Sequence, residues 1–159
     1  KRVVYEIQEE LPHIKNFGTL SPIPGFTDWL RYVEEPKIKN ILTSFKNQDV
    51  SFLKSQDLKL GDSRIIENKE AIKKLVAHYI VNEKNQQGLP MNDVTRFHLG
   101  NGAIVEDIVI NANISEQGFK RAYGVMVNYL YELNNIEKNH EDYMNNNKVI
   151  VSDKIKKYL

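Results

Sequence analysis

The sequence predicts an α/β domain. Segments with apolar residues at helical spacing alternate with short segments rich in β-branched residues, in the order helix, strand, helices, strand, helix, strand, helix. The chain has 159 residues, of which 41% are hydrophobic and 27% charged, and this size and composition are typical of one globular domain. No internal repeat or low-complexity linker divides it, so we expect a single folded unit.

Composition argues against several classes of function. The formal net charge is +1, which gives no indication of a nucleic-acid surface, and no apolar run is long enough to span a bilayer. The absence of cysteine excludes disulfides, zinc-thiolate sites and cysteine nucleophiles. The histidines do not have the spacing of a metal site; they are His13, His78, His98 and His140. We therefore expect no nucleic acid, membrane or metal partner.

One serine is predicted to lie on a stiff strand end. Residues 17–23 are predicted to be extended because Ser21 and Ile23 each precede a proline, which disfavours the α conformation. The prolines hold Ser21 in place at low entropic cost, and the missing N–H of Pro22 indicates a strand end or sheet edge. The alternative is an ordinary turn serine.

A histidine between two apolar residues, followed by Gly-Asn-Gly, is the second candidate. In an extended segment, Phe97 and Leu99 would anchor in the core while His98 points the other way. Gly100 and Gly102 lack side chains, so a ligand or another backbone segment can come close. A titratable group beside bare backbone fits an active site. The alternative is a hydrogen-bonded histidine beside a tight turn.

Periodicity and turn residues predict the other elements. The strand at 103–114 is apolar on both faces and is predicted to be central in the sheet. Gly124 falls inside a predicted helix, so its missing side chain must favour either helix packing or a ligand. The predicted helices are 4–11, a short one capped by Thr27, short ones within 36–60, and 65–81, 115–133, 136–143 and 152–159; a last short strand is predicted at 148–151.

The start of the predicted helix at 115 is a candidate phosphate site. Free N–H groups and the positive end of the helix dipole would point out of a strand-to-helix turn that begins at Ser115. Gly118 would let a ligand approach, and Lys120 and Arg121 add positive charge, although Glu116 opposes an anion. The alternative, a solvated helix start, is equally consistent with the residues.

Three strings together resemble a known family. SPIPGF at 21–26, FHLGNGA at 97–103 and GVMVNYLY at 124–131 are similar to malonyl-CoA decarboxylases, in that order along the chain. The similarity covers almost the whole chain and is weakest between 35 and 64. Because the chain opens with Lys1-Arg2-Val3-Val4, we expect 1–159 to be the C-terminal part of a catalytic domain, with an open sheet edge near its N-terminus.

The resemblance implies a fold and a reaction. The fold is that of the GCN5-related acyltransferases, a twisted mixed sheet flanked by helices. The reaction is decarboxylation of malonyl-CoA to acetyl-CoA and carbon dioxide, with coenzyme A as part of the substrate and without a metal or organic redox cofactor. The family's catalytic serine and histidine fall on Ser21 and His98, and the tyrosine that lines its acyl site falls on Tyr131.

Further binding residues follow from the same resemblance. The coenzyme A pyrophosphate would lie on the turn at 115–121; its predicted contacts, together with the helix glycine, are Ser115, Gly118, Lys120, Arg121 and Gly124. Asn101 and Asn128 are expected to contact the substrate. The chain departs from the family at 121–123, Arg-Ala-Tyr in place of Gln-Ser-Ala, and at 109–110, Val-Ile in place of Asn-Trp. Both departures affect how the cofactor portion would be held.

Two other functions remain open. One is an acyltransferase of the same fold that passes an acyl group from coenzyme A to an amine. The other is a non-catalytic module that binds acyl-CoA or a protein partner. Malonyl-CoA is the expected partner, homo-oligomers could form through sequence upstream of residue 1, and the expected location is cytoplasmic, or mitochondrial in a eukaryote.

Overall fold

The structure, a computed structural model, describes residues 2–45, 49–55 and 57–159. It is an α/β fold, as the sequence predicts. The strands are β1 Asn16–Ser21, β2 Ile104–Val109 and β3 Met126–Glu132. The α-helices are α1 Arg2–Glu10, α2 Phe26–Tyr32, α3 Glu35–Ile41, α4 Ser63–Glu67, α5 Lys69–Val81, α6 Asp93–Gly100, α7 Glu116–Ala122, α8 Ile136–Asn146 and α9 Asp153–Lys156. Short 3₁₀ turns occur at Thr43–Phe45, Ser51–Lys54 and Leu133–Asn135.

The sheet has the order β1-β3-β2, and both pairings are antiparallel. The strand predicted to be central, β2, is therefore not the middle strand; β3 is. Within the described residues, the parallel contact is the single bridge between Val105 and Val151. The predicted strand at 148–151 is reduced to this bridge. β1 lies at one edge of the described sheet, as the prolines after it predict.

The register of β1 against β3 decides which side chains share a face. Thr19 is the direct partner of Tyr129, and Ser21 that of Val127. Direct partners in an antiparallel pair point to the same side, so alternate residues of both strands form one face. That face carries the buried side chains of Ser21, Tyr129 and Tyr131. Asn128, the partner of Leu20, belongs to the opposite face.

The core lies against the helices that pack on this sheet. Helix α5 contacts β2, and six of its side chains are fully buried: Ala71, Ile72, Leu75, Val76, Ala77 and Ile80. The predicted helix at 65–81 is interrupted at Asn68, whose side chain donates to the carbonyl of Arg64.

Among the described residues, no helix combines the length and apolar character needed to cross a bilayer.

The predicted extended segment around His98 is wrong. It is helix α6, which begins after Asn92 because the Asn92 side chain accepts the N–H of Thr95. Neighbouring helical residues point in directions about 100° apart rather than to opposite faces. His98 is therefore buried while Phe97, expected in the core, is 64% exposed.

The predicted helix at 115–133 is also wrong beyond residue 122. Tyr123 and Gly124 adopt positive φ angles of 54° and 81°, and the chain turns back into β3. Gly124 is thus a turn residue, not a helix residue. The predicted cap of α2 is a further correction: Gly25 holds the N-cap position, and the Thr27 hydroxyl instead donates to the carbonyl of Lys120.

Gly102 has the role predicted for a glycine at a close approach. A side chain there would place its Cβ 2.5 Å from the carbonyl oxygen of Ile136, and φ is +90°. The neighbour that comes close is therefore the backbone at the start of α8. His140 of the same helix bonds the carbonyl of Gly100 through Nδ1 at 2.6 Å. Both contacts fix the end of α6 against α8.

Candidate active site

Ser21 and His98 meet in the interior. Ser21 is the last residue of β1 and His98 lies in the last turn of α6, and their Oγ and Nε2 atoms are 3.0 Å apart. Both side chains are more than nine-tenths buried. The residues are 77 positions apart in the chain, so only the packing of α6 against the sheet brings them together.

The second imidazole nitrogen of His98 bonds a phenol. Nδ1 lies 2.7 Å from the hydroxyl of Tyr131 on β3, whose ring is stacked against Phe17 at 4.8 Å between centroids. Burial raises the pKa of Tyr131 to about 12, so this hydroxyl keeps its proton at neutral pH. Tyr131 can therefore donate to Nδ1, which leaves the proton of the neutral ring on Nε2.

Burial also acts on the histidine. It lowers the pKa of the His98 imidazole from its ordinary value of 6.5, because the charged form loses hydration in the interior. The ring is therefore neutral at pH 7, with one nitrogen protonated. Both nitrogens bond hydroxyl groups, and the hydroxyl of Ser21 makes a further contact with Thr19 Oγ1 at 3.1 Å. A serine hydroxyl held between two polar partners can orient toward a third group.

The two asparagines predicted to bind substrate lie elsewhere. Asn128 lies on the sheet face opposite Ser21, and its side chain fills the space beside Gly18, where a Cβ would fall 2.9 Å from Oδ1. Asn101 caps the end of α6, and its side-chain amide donates to the carbonyl of Phe97 at 2.8 Å. The side chains of Ser21, His98 and Tyr131 are joined by hydrogen bonds, whereas Asn128 lies on the opposite sheet face and Asn101 stands at the end of α6.

The helix start predicted at Ser115 is present. Ser115 caps α7 by accepting the N–H of Gly118, and its hydroxyl donates to Asn113 at 2.7 Å. A Cβ on Gly118 would fall 2.2 Å from the Asn113 side chain, so this glycine is required by a neighbouring side chain. Lys120 and Arg121 are exposed and add positive charge beside the turn.

Gly124 is likewise required by the local fold. Its φ of +81° belongs to the left-handed region, and a Cβ would fall 3.0 Å from the carbonyl oxygen of Asn113. The backbone of this glycine also accepts the N–H groups of Ala112 and Asn113. Its role in the turn between α7 and β3 therefore needs no ligand.

Sequence reasoning missed three polar residues around His98: Asn92, Thr95 and Tyr129. Asparagine is among the most favoured N-cap residues, and Asn92 followed by Asp93 in the first turn would have indicated the helix. The alternation of Val127, Tyr129 and Tyr131 would have placed the two tyrosines on one face of a strand. Both signals are present in the sequence.

A cavity of about 430 Å³ lies away from Ser21 and His98. It is bounded by α3, α5 and the two 3₁₀ turns that follow α3, with lining residues that include Leu30, Ile38 and Leu75. The cavity borders the gap between residues 45 and 49 in the described chain, so we assign no ligand to it. In the described ranges, no cluster of three His, Asp or Glu side chains could hold a metal ion.

Comparison with known proteins identifies the family. Residues 1–159 match the family described as malonyl-CoA decarboxylase C-terminal domain. The chain belongs to this family. It is 30% identical over 177 residues to mitochondrial malonyl-CoA decarboxylase of Anser anser anser and 31% identical over 173 residues to that of Mus musculus. These matches cover 100% and 98% of this chain and 35% of each relative, so the chain spans about a third of their length.

Solved structures give the same family. The malonyl-CoA decarboxylase of Cupriavidus metallidurans matches with a TM-score of 0.82 and 33% identity, over 99% of this chain and 42% of that chain. The malonyl-CoA decarboxylase of Rhodopseudomonas palustris matches with a TM-score of 0.75 and 32% identity, over 99% of this chain and 36% of that one. The fold described above is therefore one that this family adopts.

Proposed function

We propose that the protein containing this chain decarboxylates malonyl-CoA to acetyl-CoA and carbon dioxide, and that residues 1–159 are the C-terminal part of its catalytic domain. Family membership supports the substrate and the reaction. The observation that carries the proposal is the buried contact of 3.0 Å between Ser21 Oγ and His98 Nε2. It joins the two family strings that hold the expected catalytic residues.

The reaction breaks one carbon–carbon bond. The electron pair of the bond to the carboxylate moves into the thioester and forms an enolate, and carbon dioxide leaves. The enolate carbon then takes one proton and becomes the methyl group of acetyl-CoA. The carboxylate loses its charge on the way to carbon dioxide, so a dry site favours the step. The burial of Ser21 and His98 supplies such surroundings.

His98 is the proton donor in this proposal. With Tyr131 donating to Nδ1, the neutral imidazole carries its proton on Nε2, the nitrogen that faces Ser21. That proton passes to the enolate carbon, and solvent later restores it. Donation from Tyr131 supports the ring as Nε2 gives up its proton. General acids of this kind contribute roughly 10² to 10⁴-fold to rate.

Ser21 orients the substrate. Its hydroxyl donates to the carboxylate or to the thioester oxygen, where charge develops as the enolate forms. Thr19 Oγ1, at 3.1 Å, holds the hydroxyl on the other side. No metal or redox cofactor takes part in this proposal, because the imidazole and the hydroxyl groups supply the proton and the donors.

We place the phosphates of coenzyme A near the exposed side chains of Lys120 and Arg121. Their positive charge supports this placement, whereas Gly118 and Gly124 are accounted for by the local fold. Homo-oligomers through upstream sequence stay a prediction. So does the location, cytoplasmic or, in a eukaryote, mitochondrial; the goose and mouse relatives are named mitochondrial.

The test is product analysis with the full-length protein and malonyl-CoA, without any amine acceptor. We expect equal amounts of carbon dioxide and acetyl-CoA. Release of free coenzyme A that depends on an added amine, without carbon dioxide, would indicate the acyltransferase. Tight binding of malonyl-CoA without turnover would indicate the binding module.

A further inference from the structure

A second buried tyrosine lies directly behind the imidazole. The rings of Tyr129 and His98 are stacked, with centroids 4.3 Å apart and planes 20° from parallel. Tyr129 is only 1% exposed and is the cross-strand partner of Thr19 in β1. The imidazole is therefore held between this ring on one face and two hydroxyl partners at its edges.

The hydroxyl of Tyr129 starts a chain of hydrogen bonds whose directions are fixed by chemistry. The Asn92 Oδ1 atom can only accept, so the Thr95 hydroxyl donates to it at 3.2 Å. Thr95 has a single hydroxyl proton, so Tyr129 must donate to Thr95 Oγ1, at 2.7 Å. Burial raises the pKa of Tyr129, which keeps that phenol protonated.

The chain of hydrogen bonds continues to the loop after Ser21. The side-chain amide of Asn92 donates to the carbonyl of Pro24 at 2.9 Å, and the Tyr79 hydroxyl donates to the same oxygen at 3.2 Å. Thr95 has no exposed surface, and Asn92 is 2% exposed. This network of buried side chains thus links α6 and β3, which carry His98 and Tyr131, to the loop that follows Ser21.

We infer that Tyr129, held by Thr95 and Asn92, is a positioning residue that fixes the plane of the His98 ring. The second side-chain torsion of histidine is broad, so packing rather than intrinsic preference must set the ring plane. Rotation of the ring would separate Nε2 from Ser21 and Nδ1 from Tyr131 together. Tyr129 acts through the imidazole and needs no contact with the substrate.

The kinetic test rests on the proposed function and compares three variants in the full-length protein. Thr95→Val removes the acceptor for the Tyr129 hydroxyl while it keeps the branched shape, and Tyr129→Phe removes the hydroxyl while it keeps the ring. We expect either change to lower kcat for malonyl-CoA by roughly 10 to 10²-fold, the effect of a small misplacement, with KM unchanged. Thr95→Ser keeps the hydroxyl and should retain wild-type kcat.

Tyr158→Phe is the matched control. Tyr158 is 6% exposed and its hydroxyl donates to the half-buried Glu70 Oε2 at 2.5 Å, so this variant also loses the hydrogen bond of a buried tyrosine. It should lower the melting temperature and leave kcat unchanged. A loss of kcat in Tyr158→Phe equal to that in Tyr129→Phe would mean that general destabilisation, not positioning, causes the effect, and would overturn the inference.

Nitrogen-15 NMR of labelled histidine tests the same inference without turnover. The His98 signals are assigned by their loss in His98→Asn. We expect one neutral tautomer in the wild type and in Thr95→Ser, and a mixture of both in Thr95→Val and Tyr129→Phe. If the wild type does not turn over malonyl-CoA but the NMR change occurs, the proposed function fails and the inference stands. An unchanged tautomer in both variants would overturn the inference.

Discussion

Two regions carry predicted site residues, and they differ in where their polar groups find partners. In the cluster of Ser21, His98 and Tyr131, each hydrogen bond joins residues from two different elements of the fold, and all three side chains are buried. At the start of α7, by contrast, the side-chain partners are local, since the Ser115 hydroxyl donates to Asn113 and accepts the N–H of Gly118. Lys120 and Arg121 beside it are exposed.

The two regions therefore support different conclusions about function. In the turn, Gly118 and Gly124 are each required by close contacts with Asn113, so these glycines are explained without a ligand. The cluster buries a neutral histidine with hydroxyl partners that the sheet and α6 must bring together, which is a costly arrangement for a purely structural role. The next four predictions test this contrast, beginning with the largest effect.

Loss of either member of the pair should nearly abolish turnover. His98→Asn removes the proton donor and should lower kcat by roughly 10² to 10⁴-fold, and Ser21→Ala should also be slow. Binding of acyl-CoA should survive in both, because the phosphates are held elsewhere. Steady-state kinetics and calorimetric binding measure the two effects. His13→Asn, at an exposed position, is the control. Wild-type turnover in His98→Asn would refute its assigned role.

Charge reversal beside the turn should weaken acyl-CoA binding without changing the chemical step. Lys120→Glu with Arg121→Glu should lower affinity for acyl-CoA, and more so at low salt because screening is weaker there. The matched control is Lys156→Glu with Lys157→Glu, which makes the same change in net charge at exposed positions of α9 and after it. Equal affinity of the two double variants for acyl-CoA at low ionic strength would contradict the placement of the phosphates at this turn.

Gly118 should matter for stability. Its replacement by alanine would place a Cβ 2.2 Å from the Asn113 side chain, and overpacking of this kind costs typically 1–3 kcal/mol. Because Asn113→Ala removes the clashing group, the double variant should be less destabilised than the sum of the single variants. Urea unfolding gives the free energies. If Gly118→Ala kept full stability but bound acyl-CoA more weakly, the result would instead favour a role for Gly118 in ligand binding.

The smallest effect concerns pH. Burial lowers the pKa of His98 in the folded state. As pH falls below about 6.5, the imidazole is therefore protonated in the unfolded chain before it is protonated in the folded protein. The stability that His98 contributes is present above pH 6.5 and is lost as pH falls toward the folded-state pKa. Urea unfolding at pH 7.5 and 5.5 should therefore show a smaller acid loss in His98→Asn than in the wild type. An identical loss in both would contradict the burial of a neutral ring.

Local signals predicted some elements and misled on others. The prolines around Ser21 predict β1 because they act on the adjacent backbone, and the two strings place Ser21 and His98 in one site before any contact is known. Residues 119, 126, 130 and 133 fit a helical period, yet Met126–Glu132 forms β3 because β1 and β2 both pair with this stretch. The pairing of β1 with β3 joins residues over a hundred positions apart, which no local window contains.

The central claim is that His98 delivers the proton that completes decarboxylation. The most direct measurement is the rate and deuterium content of acetyl-CoA formed from malonyl-CoA in heavy water, sampled within the first turnovers by wild-type protein and by His98→Asn. The wild type should release carbon dioxide and place one solvent deuteron on the new methyl group, and His98→Asn should form this product roughly 10² to 10⁴-fold more slowly. Equal rates of singly deuterated acetyl-CoA from both proteins would contradict the claim.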